Sequence, residues 1–417
     1  MHNASCLHAD ESHIKYDSVK EAMDNAGVIL KPNNRTSVLV WYDSLTDNPK
    51  IFEISPWQVI NRIPCINTLC RKVPFAFVIQ KIQKFYPELY SFVPKTFVLP
   101  NQSDDFINTQ QHDGFSYIIK PNAGSLGKGI SIIEPKQSDF SLPDQWDVAQ
   151  QYIEGLHLDN TKFDLRVYVL VASIRPLRIY VYRDGIARFC SEDATHNSPY
   201  SKLTNVTLNN QNTTTEISKI SRLISDVFPI LEDKGVNIEE LWKSIDDVVT
   251  LSIFSAYGYL SSAERVYCPS TTYPRCFQIL GFDILLDRDL KPHVLEINYR
   301  PSLDFYRGKE RRMKVAMIRD AILLGAPLSQ IQTIINSRKW SWGRSTWLSY
   351  ISINKDISNN IMLIRDNTEK TSGFALVWPS KDTRKEAWKD VLQKVLTISN
   401  DPLPSFFPSE KVAGGEA

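Results

Sequence analysis

The chain has 417 residues, long enough for two or three domains with substantial cores. Its 42% hydrophobic and 23% charged residues are ordinary for a globular protein, and a net charge of +1 argues against a generally basic nucleic-acid binder. No apolar run approaches the roughly 18 to 20 residues that span a bilayer. Residues 1–17 also lack the apolar core of a secretory signal. We therefore expect no nucleic-acid partner and no membrane association.

Six cysteines are spread along the chain without the CxxC spacing of a zinc or redox site. This pattern predicts reduced thiols and a cytoplasmic protein. The six are Cys6, Cys65, Cys70, Cys190, Cys268 and Cys276.

The first hundred residues predict a leader and a small domain. Residues 1–35 are polar and poorly patterned, which indicates a partly disordered leader. The run "SVLVWYD" at 37–43 is predicted to be the first strand, and "NTLCRKVPFAFVIQKIQKFYPELY" predicts a helical stretch interrupted near Pro74. "VPKTFVLP" then closes an N-terminal domain, which we place at 36–102.

Two larger domains are predicted at 103–170 and 171–330. Short β-branched runs such as "YIIK" and "FDLRVYVLVAS" indicate strands. Asn237 is expected to cap the helix "NIEELWKSIDDVVTLSIFSAY", with Glu240 at the capping-box position. The remainder, 331–417, is predicted to be a C-terminal extension rich in tryptophan, with a further strand and helix.

A glycine-rich stretch, "YIIKPNAGSLGKGISII", lies between two predicted strands at 117–133. Gly124, Gly127 and Gly129 let backbone N–H groups approach an anion. The stretch is not a Walker A element, because Asn122 stands where that motif needs Gly and the residue after Lys128 is not Ser or Thr. By itself the pattern fits either a hairpin folded over a nucleotide or a flexible hairpin with a solvated lysine.

The stretch "KFDLR" at 162–166 places three charges on one face of a predicted strand. Because side chains alternate between faces, Lys162, Asp164 and Arg166 should point one way and Phe163 and Leu165 the other. Such a face suits a triphosphate and a ribose. A surface ladder of ion pairs across strands explains this stretch equally well.

The stretch "GFDILLDRDLKPHVLEIN" at 281–298 predicts a hairpin around the turn "DRDLKP". A symmetric register places Asp283 opposite Glu296, with Asn298 on the same face as Glu296. Leu295 and Ile297 indicate a buried strand, so the two carboxylates would repel one another without a cation. Oxygen ligands of this kind predict a Mg²⁺ site rather than a solvated edge hairpin.

Together these segments resemble the tubulin–tyrosine ligase-like family of ATP-grasp amide ligases. The resemblance runs from about residue 55 to about residue 325 and covers motifs in the family's order. They are "NRIP…LCRK", "FVPKTFVLP", "KPNAGSLGKGI", "QQYI", "KFDLRVYVLV", "YRDGIARF", "LTN" and "GFDILLDRDLKPHVLEIN…PSL". The resemblance implies an α/β (α+β) ATP-grasp fold, with 36–102 as its N-terminal domain, 103–170 as its central domain and 171–330 as its C-terminal domain.

The resemblance also assigns roles to residues of this chain. It implies that Lys72, Lys120 and the loop with Gly127 and Gly129 bind the phosphates of ATP. Gln150, Gln151 and Ile153 are implied to contact the adenine. Lys162, Asp164 and Arg166 are implied to line the phosphate and ribose side. It implies that the reacting carboxyl group lies near Arg188, Thr204 and Asn205, with Arg166 also counted as catalytic. It implies that Mg²⁺ is held by Asp283, Glu296 and Asn298.

The activity implied is ATP-dependent ligation of a free amino acid, most often glutamate, to a carboxyl group of an acidic tubulin tail through an acyl phosphate. This implies tubulin or microtubules as partner and a location on the cytoskeleton, including a cilium, flagellum or basal body. Alternatives are a polyglycylase, a tyrosine ligase, a weakly active ATP- and microtubule-binding member, and a ligase for a small metabolite.

Several family positions differ in this chain. Lys202 stands before "LTN" where many members have His, Leu126 occupies a loop position that is often basic, and the "N-x-SPSL" ending reads "NYRPSL", with Tyr299 and Arg300. None of these removes a predicted metal ligand or phosphate lysine, so an active enzyme is favoured. The added cations Lys202 and Arg300 are expected to attract acidic chains.

A basic run, "RGKERRMK" at 307–314, follows the predicted metal strand. On a helix, positions 307, 311 and 314 share one face. This run predicts either a cationic path for an acidic tail or an ordinary solvated helix face.

Overall fold

In the computed structural model the protein is a mixed α/β structure built on three sheets, which confirms the predicted fold class. The structure describes residues 6–32, 35–43, 49–122, 129–196, 198–204, 209, 220–269, 272–305, 308–337, 343–380 and 382–401.

The first sheet is parallel and has the order β2-β1-β3-β4. Its strands are β1 His8–Asp10, β2 Ile29–Lys31, β3 Leu39–Val40 and β4 Val59–Ile60. Helix α1 (Asp17–Asn25) connects the first two strands and buries Val19, Ala22 and Met23. The predicted leader is therefore wrong for residues 8–31, because they supply two strands and a buried helix, and "SVLVWYD" supplies the third strand instead of the first.

The predicted break in the next helical stretch lies at Arg71, three residues before Pro74. Helix α2 (Asn67–Cys70) ends there because Arg71 adopts extended angles, φ −98° and ψ 139°. Helix α3 (Lys72–Gln83) begins at the following residue. Pro74 lies in the first turn of α3, where a missing N–H costs no helical hydrogen bond. This break places Lys72 at the first position of a helix.

The second sheet is antiparallel and has the order β5-β8-β6-β7. Its strands are β5 Thr96–Leu99, β6 Tyr117–Pro121, β7 Ser131–Ile133 and β8 Asp147–Gln151. Helix α4 (Ser103–His112) covers one face by packing Phe106 against Phe97 and Tyr117. Strand β5 pairs with β8, so the pairing crosses the predicted boundary at 102/103.

The third sheet has seven strands, and its main path is β12-β11-β10-β13-β14. Its strands are β9 His157–Leu158, β10 Thr161–Ser173, β11 Arg178–Phe189, β12 Ser221–Leu223, β13 Gln278–Leu286, β14 Pro292–Asn298 and β15 Phe374–Trp378. Strand β10 runs unbroken through the predicted boundary at 170/171.

Helices cover both faces of this sheet. They are α5 Pro199–Lys202, α6 Ile224–Asp233, α7 Ile238–Tyr267 and α8 Gly308–Gly325. The backbone N–H of Glu240 donates to Oδ1 of Asn237 at 3.1 Å, which confirms the predicted cap of α7. Along β10, Val167 and Val169 belong to the same core as α7, whereas Tyr168 and Leu170 belong to the core that contains α8. The run "VYVLVAS" is apolar throughout because both faces are buried.

The C-terminal region is joined to the same sheet. It contains α9 Ser329–Asn336, α10 Arg344–Ile353, α11 Lys355–Glu369 and α12 Trp388–Ile398. Strand β15 pairs antiparallel with β11, and Trp378 and Trp388 both pack edge-on against Phe254 of α7. The region predicted as an extension is thus part of the main core. Among the described helices, none has the length and apolarity to cross a membrane.

Candidate active site

Three cross-strand pairs bring the predicted charged residues together in the third sheet. Asp164 lies opposite Arg188, and Arg166 lies opposite Asp283. Asp283 in turn lies opposite Glu296, as the symmetric hairpin predicts. Phe163 and Leu165 point into the core at 1% and 0% exposure. The ion pairs of the "KFDLR" strand therefore form a buried network, and the alternative of a solvated surface ladder is wrong.

Asp283 is the centre of this network. Its carboxylate accepts from Nε of Arg166 at 2.5 Å and from Nη2 of Arg166 at 3.1 Å, and Nη2 of Arg188 lies 3.0 Å from the same group. Burial acts to raise the pKa of Asp283, and the two guanidinium groups outweigh it, so this pKa lies well below its ordinary value. The carboxylate is therefore ionised throughout the neutral range.

Asp164 binds the other side of Arg188. Nε and Nη2 of Arg188 donate to it at 2.7 and 2.6 Å, and Oγ1 of Thr204 donates at 2.6 Å. Burial lowers the pKa of Arg188, but the carboxylates of Asp164 and Asp283 more than reverse this, and the net shift is upward. Arg188 thus stays charged and bridges two strands of the sheet.

The predicted metal ligands converge at the end of the β13–β14 hairpin. Nδ2 of Asn298 lies 3.4 Å from Oδ2 of Asp283 and 3.3 Å from Oε1 of Glu296, so the amide lies between the two carboxylates. Nζ of Lys72 lies 3.2 Å from Oε2 of Glu296. Leu295 forms a β-bulge in β14: Asp283 pairs with Glu296, and the next residue of β13, Ile284, pairs with Val294. The bulge therefore lies on the turn side of the Asp283–Glu296 pair and leaves that pair in place.

The carboxylate and amide oxygens in this arrangement are ligands that suit a hard divalent cation. The side-chain N–H group of Asn298 now contacts both carboxylates, at the place where such a cation would bind. In the described parts of the chain, no group of three Asp, Glu, His or Cys side chains is arranged to hold a metal ion. Asp283 and Glu296 would thus be the charged ligands of a metal here, and the side-chain oxygen of Asn298 is the predicted third protein ligand.

Two lysines, the buried Lys162 and the partly buried Lys120, have neutral partners. Nζ of Lys120 donates to Oε1 of Gln150 at 2.9 Å, and Nζ of Lys162 donates to the Tyr152 hydroxyl at 2.7 Å and to the Ile153 carbonyl at 2.8 Å. Across the described residues, no carboxylate lies within ion-pair distance of either ammonium group. Burial lowers the pKa of Lys120 and that of Lys162 to about 8, with nearby carboxylates opposing the shift. Each lysine would gain stability from an added anion.

A cleft of about 370 Å³ opens between helix α3, the second sheet and strand β14. Its polar wall is formed by Arg71, Lys72, Thr96, Lys120, Gln150 and Glu296, and the rest of its lining is mostly apolar. Six cationic side chains and three carboxylates lie in and beside this cleft. The cations are Arg71, Lys72, Lys120, Lys162, Arg166 and Arg188, and the carboxylates are Asp164, Asp283 and Glu296.

Some predicted residues are not placed in the site by the structure. Gly127 and Asn205 lie outside the described residues. Gly129 has φ +71°, a left-handed conformation that favours glycine and fits the predicted turn of the hairpin. Gln151 ends strand β8, where its N–H donates to the Lys95 carbonyl at 2.8 Å.

Asn122 is a residue whose position the sequence argument missed. Its Oδ1 accepts from the N–H of Val73 at 3.1 Å, at the start of α3, and its own N–H donates to Asp147 at 3.2 Å. Asn122 therefore ties the helix that carries Lys72 to the strand that carries Lys120. The sequence shows Asn122 only as a mismatch to the Walker A pattern, but Asn beside a glycine-rich turn is a common source of such side-chain caps.

Most of the cations predicted as an acceptor path are already paired. Lys309 lies 3.0 Å from Asp226, and Arg311 lies 2.7 Å from Glu21. Lys314 is buried and lies 2.8 Å from Glu310. Lys202 similarly lies 3.0 Å from Glu134. Arg307 is outside the described residues. Three cations of this run thus have carboxylate partners, whereas no carboxylate among the described residues pairs with exposed Arg312, and the cationic path along 307–314 stays a prediction.

A four-stranded antiparallel sheet that carries Lys120 lies across a cleft from strand β14, which carries Glu296 on the seven-stranded sheet, and this arrangement is consistent with an ATP-grasp-like fold. The chain belongs to the tubulin-tyrosine ligase family, whose sequence model matches residues 51–338. The match includes all of the charged residues described above at the cleft.

Curated relatives carry related names. Tubulin polyglutamylase TTLL6 of Mus musculus is 32% identical over 325 residues, which covers 75% of this chain and 39% of the relative. Tubulin polyglutamylase TTLL13 of Homo sapiens is 34% identical over 328 residues, with 75% and 40% covered. Tubulin polyglutamylase TTLL7 of Homo sapiens is 32% identical over 347 residues, with 78% and 38% covered. The chain thus spans about two fifths of the length of these relatives.

Proposed function

We propose that the protein is an ATP-dependent ligase that adds glutamate to a carboxyl group of tubulin tails through an acyl phosphate. The observation that carries this proposal is the excess of cationic groups in and beside the cleft, above all the ammonium groups of partly buried Lys120 and buried Lys162, which have neutral partners. Buried charges without a counter-ion are costly. A polyphosphate would supply the missing negative charge, and the family and the names of the relatives support the choice of substrate.

Lys72, Lys120 and Lys162 bind the phosphates of ATP in this proposal, with Gly127 and Gly129 in the loop above them. Gln150, Gln151 and Ile153 meet the adenine. Asn122 fixes the start of α3 so that Lys72 reaches the same phosphates.

Asp283, Glu296 and Asn298 would hold Mg²⁺, which neutralises charge on the transferring phosphoryl group when bound. Glu296 also orients Lys72 through their ion pair. Asp283, held by two arginines, keeps its charge at any pH at which the enzyme works.

The reaction begins when a carboxylate oxygen of the acceptor attacks the terminal phosphorus and ADP leaves. Arg166 and Arg188 stabilise the negative charge on the transferring group, and Asp164 and Thr204 hold Arg188 in place. The amine of the incoming amino acid then attacks the activated carbonyl carbon, loses a proton and displaces phosphate. Asn205 is assigned to the same carboxyl group.

The proposed location is the cytoplasm, on the microtubule cytoskeleton, including a cilium, flagellum or basal body. Imaging of a tagged full-length protein with a microtubule stain tests it, and a location away from microtubules would contradict it.

Purified tubulin incubated with the protein, ATP, Mg²⁺ and one amino acid at a time tests the activity directly. Mass spectrometry should show added glutamate residues on tail peptides, and none without ATP. Added glycine or tyrosine would instead identify a polyglycylase or a tyrosine ligase. Binding of ATP and microtubules without any mass increase would identify an inactive interaction protein.

Lys120→Ala should weaken ATP use strongly. We expect kcat/KM for ATP to fall about 100-fold, because the variant removes a phosphate contact. Lys95→Ala is the control, since the side chain of Lys95 is half-exposed, does not line the cleft and lies just before strand β5. ATP titrations at saturating acceptor give the comparison, and equal losses in the two variants would show that the phosphate site is misplaced.

Nucleotide affinity should fall as pH rises above about 8. Below that pH both lysines are protonated in the free protein, so a phosphate finds both charges in place. Above it each lysine must take up a proton on binding, and affinity should fall up to about tenfold per pH unit for each lysine. Calorimetric titration with ADP in two buffers of different ionisation enthalpy measures this proton uptake between about pH 7.5 and 9.5. Binding without proton uptake would contradict the assignment.

A further inference from the structure

A second cavity, of about 320 Å³, lies where the chain leaves strand β14 and meets the N-terminal parallel sheet. Aromatic side chains of Trp41, Tyr42 and Tyr299 form much of its wall. Three charged residues also line this cavity: Asp43, Arg62 and Arg300.

Two of these charged side chains, Asp43 and Arg62, already form hydrogen bonds within the protein. Asp43 accepts from the N–H groups of Lys15 and Tyr16 at 2.7 and 2.9 Å and from Nε1 of Trp41 at 2.7 Å. Arg62 is buried and donates to the backbone carbonyls of Asn61 and Tyr42. The carboxylate thus has its hydrogen bonds satisfied within the fold.

Arg300 is different, because its side chain is exposed and, in the described part of the chain, no carboxylate pairs with it. It therefore offers the cavity a guanidinium group that can bind a carboxylate through two parallel hydrogen bonds.

The cavity adjoins the candidate active site. Arg300 follows the proposed metal ligand Asn298 by two residues. The next residue, Pro301, packs over Gly281: a Cβ on Gly281 would lie 2.8 Å from Cβ of Pro301 and 3.0 Å from Cδ of Arg166. Pro301 and Arg166 therefore converge on one point, and Arg300 lies at the edge of the reacting centre. Two residues of peptide span at most about 7 Å, so the backbone of Arg300 lies within that distance of the backbone of Asn298.

We propose that this cavity binds an acidic side chain of the acceptor peptide, next to the residue that is modified, with Arg300 as its counter-ion. The inference rests on the proposed function and adds a specificity site to it. The aromatic wall packs against the peptide backbone, and the guanidinium group selects a carboxylate at that position.

The occupant is a peptide and not the free amino acid. Arg300 is exposed and stands beyond Asn298 on the segment that leaves the hairpin, so a chain can continue past it into solvent. The incoming amino acid must instead place its amine against the activated carbonyl inside the cleft. Among the described residues, Arg300 is also the exposed cation nearest in sequence to the proposed metal ligand Asn298.

Kinetics of Arg300→Glu and Arg300→Ser with a glutamate-rich tail peptide test the proposal. The charge reversal should raise the acceptor KM about tenfold and leave the KM values for ATP and glutamate unchanged. A peptide with glutamine at the positions flanking the modified glutamate should bind wild type weakly and show little further loss with the variants. Arg344→Glu, an equal charge change at an exposed arginine outside the cavity, should behave like wild type.

Fluorescence anisotropy of the labelled peptide measures binding without turnover and separates this inference from the proposed function. If the wild-type protein binds the peptide through Arg300 but shows no ligation, the result would support the proposed peptide site and contradict the proposed activity. Unchanged peptide affinity in Arg300→Glu would overturn the site whatever the activity. A raised KM for free glutamate alone would overturn it too, because the cavity would then hold the incoming amino acid. Thermal melting of each variant, expected to match wild type, confirms that the fold is kept.

Discussion

Glu296→Gln is expected to reduce ATP-dependent ligation at least about 100-fold while the protein stays folded. Glu296 supplies a charged oxygen to the proposed Mg²⁺ site and holds Lys72 at 3.2 Å, so the amide variant removes a metal ligand and releases a phosphate lysine. The fold should tolerate the change, because the glutamate side chain is about one third exposed and glutamine has the same shape. Incorporation of labelled glutamate over a range of Mg²⁺ concentrations measures the loss.

Asp289→Asn is the matched control for that experiment. It makes the same change from carboxylate to amide on the same hairpin, at an exposed turn residue away from Asn298. We expect nearly wild-type ligation from it. If Glu296→Gln turns over with the same Mg²⁺ dependence as wild type, then Glu296 is not a metal ligand.

Arg188→Ala should cost both stability and activity. The variant leaves the buried carboxylate of Asp164 without its two guanidinium hydrogen bonds and takes one of two arginines away from Asp283. Removing one partner of a buried ion pair destabilises a protein by about 3 to 5 kcal/mol. Urea unfolding should show that loss, and ligation at a temperature where the variant is still folded should fall at least about 100-fold.

A second substitution separates the two effects. Arg188→Ala combined with Asp164→Asn should recover part of the free energy of unfolding, because no unpaired charge remains at position 164, while ligation stays low. Arg183→Ala is the control arginine on the same strand. It pairs with Asp246 at 2.7 and 2.6 Å outside the site, and its loss should leave ligation unchanged. Recovery of ligation in the double variant would show that Arg188 serves the fold and not the reaction.

Local patterns predicted much of the site because they depend on backbone geometry alone. Alternation along a strand fixed the shared face of Lys162, Asp164 and Arg166, and hairpin symmetry fixed the pairing of Asp283 with Glu296. The same local logic predicted the Asn237 cap. The order of the motifs was enough to suggest the family, to which the chain belongs.

The sequence did not show which side chains pair when they are far apart along the chain. Arg166 and Asp283 are 117 residues apart, and Asn122 reaches Val73 across 49. Nothing local shows that Glu21 neutralises Arg311, or that Asp226 neutralises Lys309. These pairings follow from which strands and helices become neighbours in the folded chain.

The sequence by itself thus determined the strand and helix periods, the turn of the β13–β14 hairpin and the family of the protein, because each of these follows from residues close together along the chain. Only the tertiary structure decided that residues 8–31 complete the first sheet, that β15 joins the third, and that the ammonium groups of Lys120 and Lys162 have neutral partners. The physical reason is that burial and charge pairing depend on contacts between distant segments, whose formation depends on the packing of the whole core.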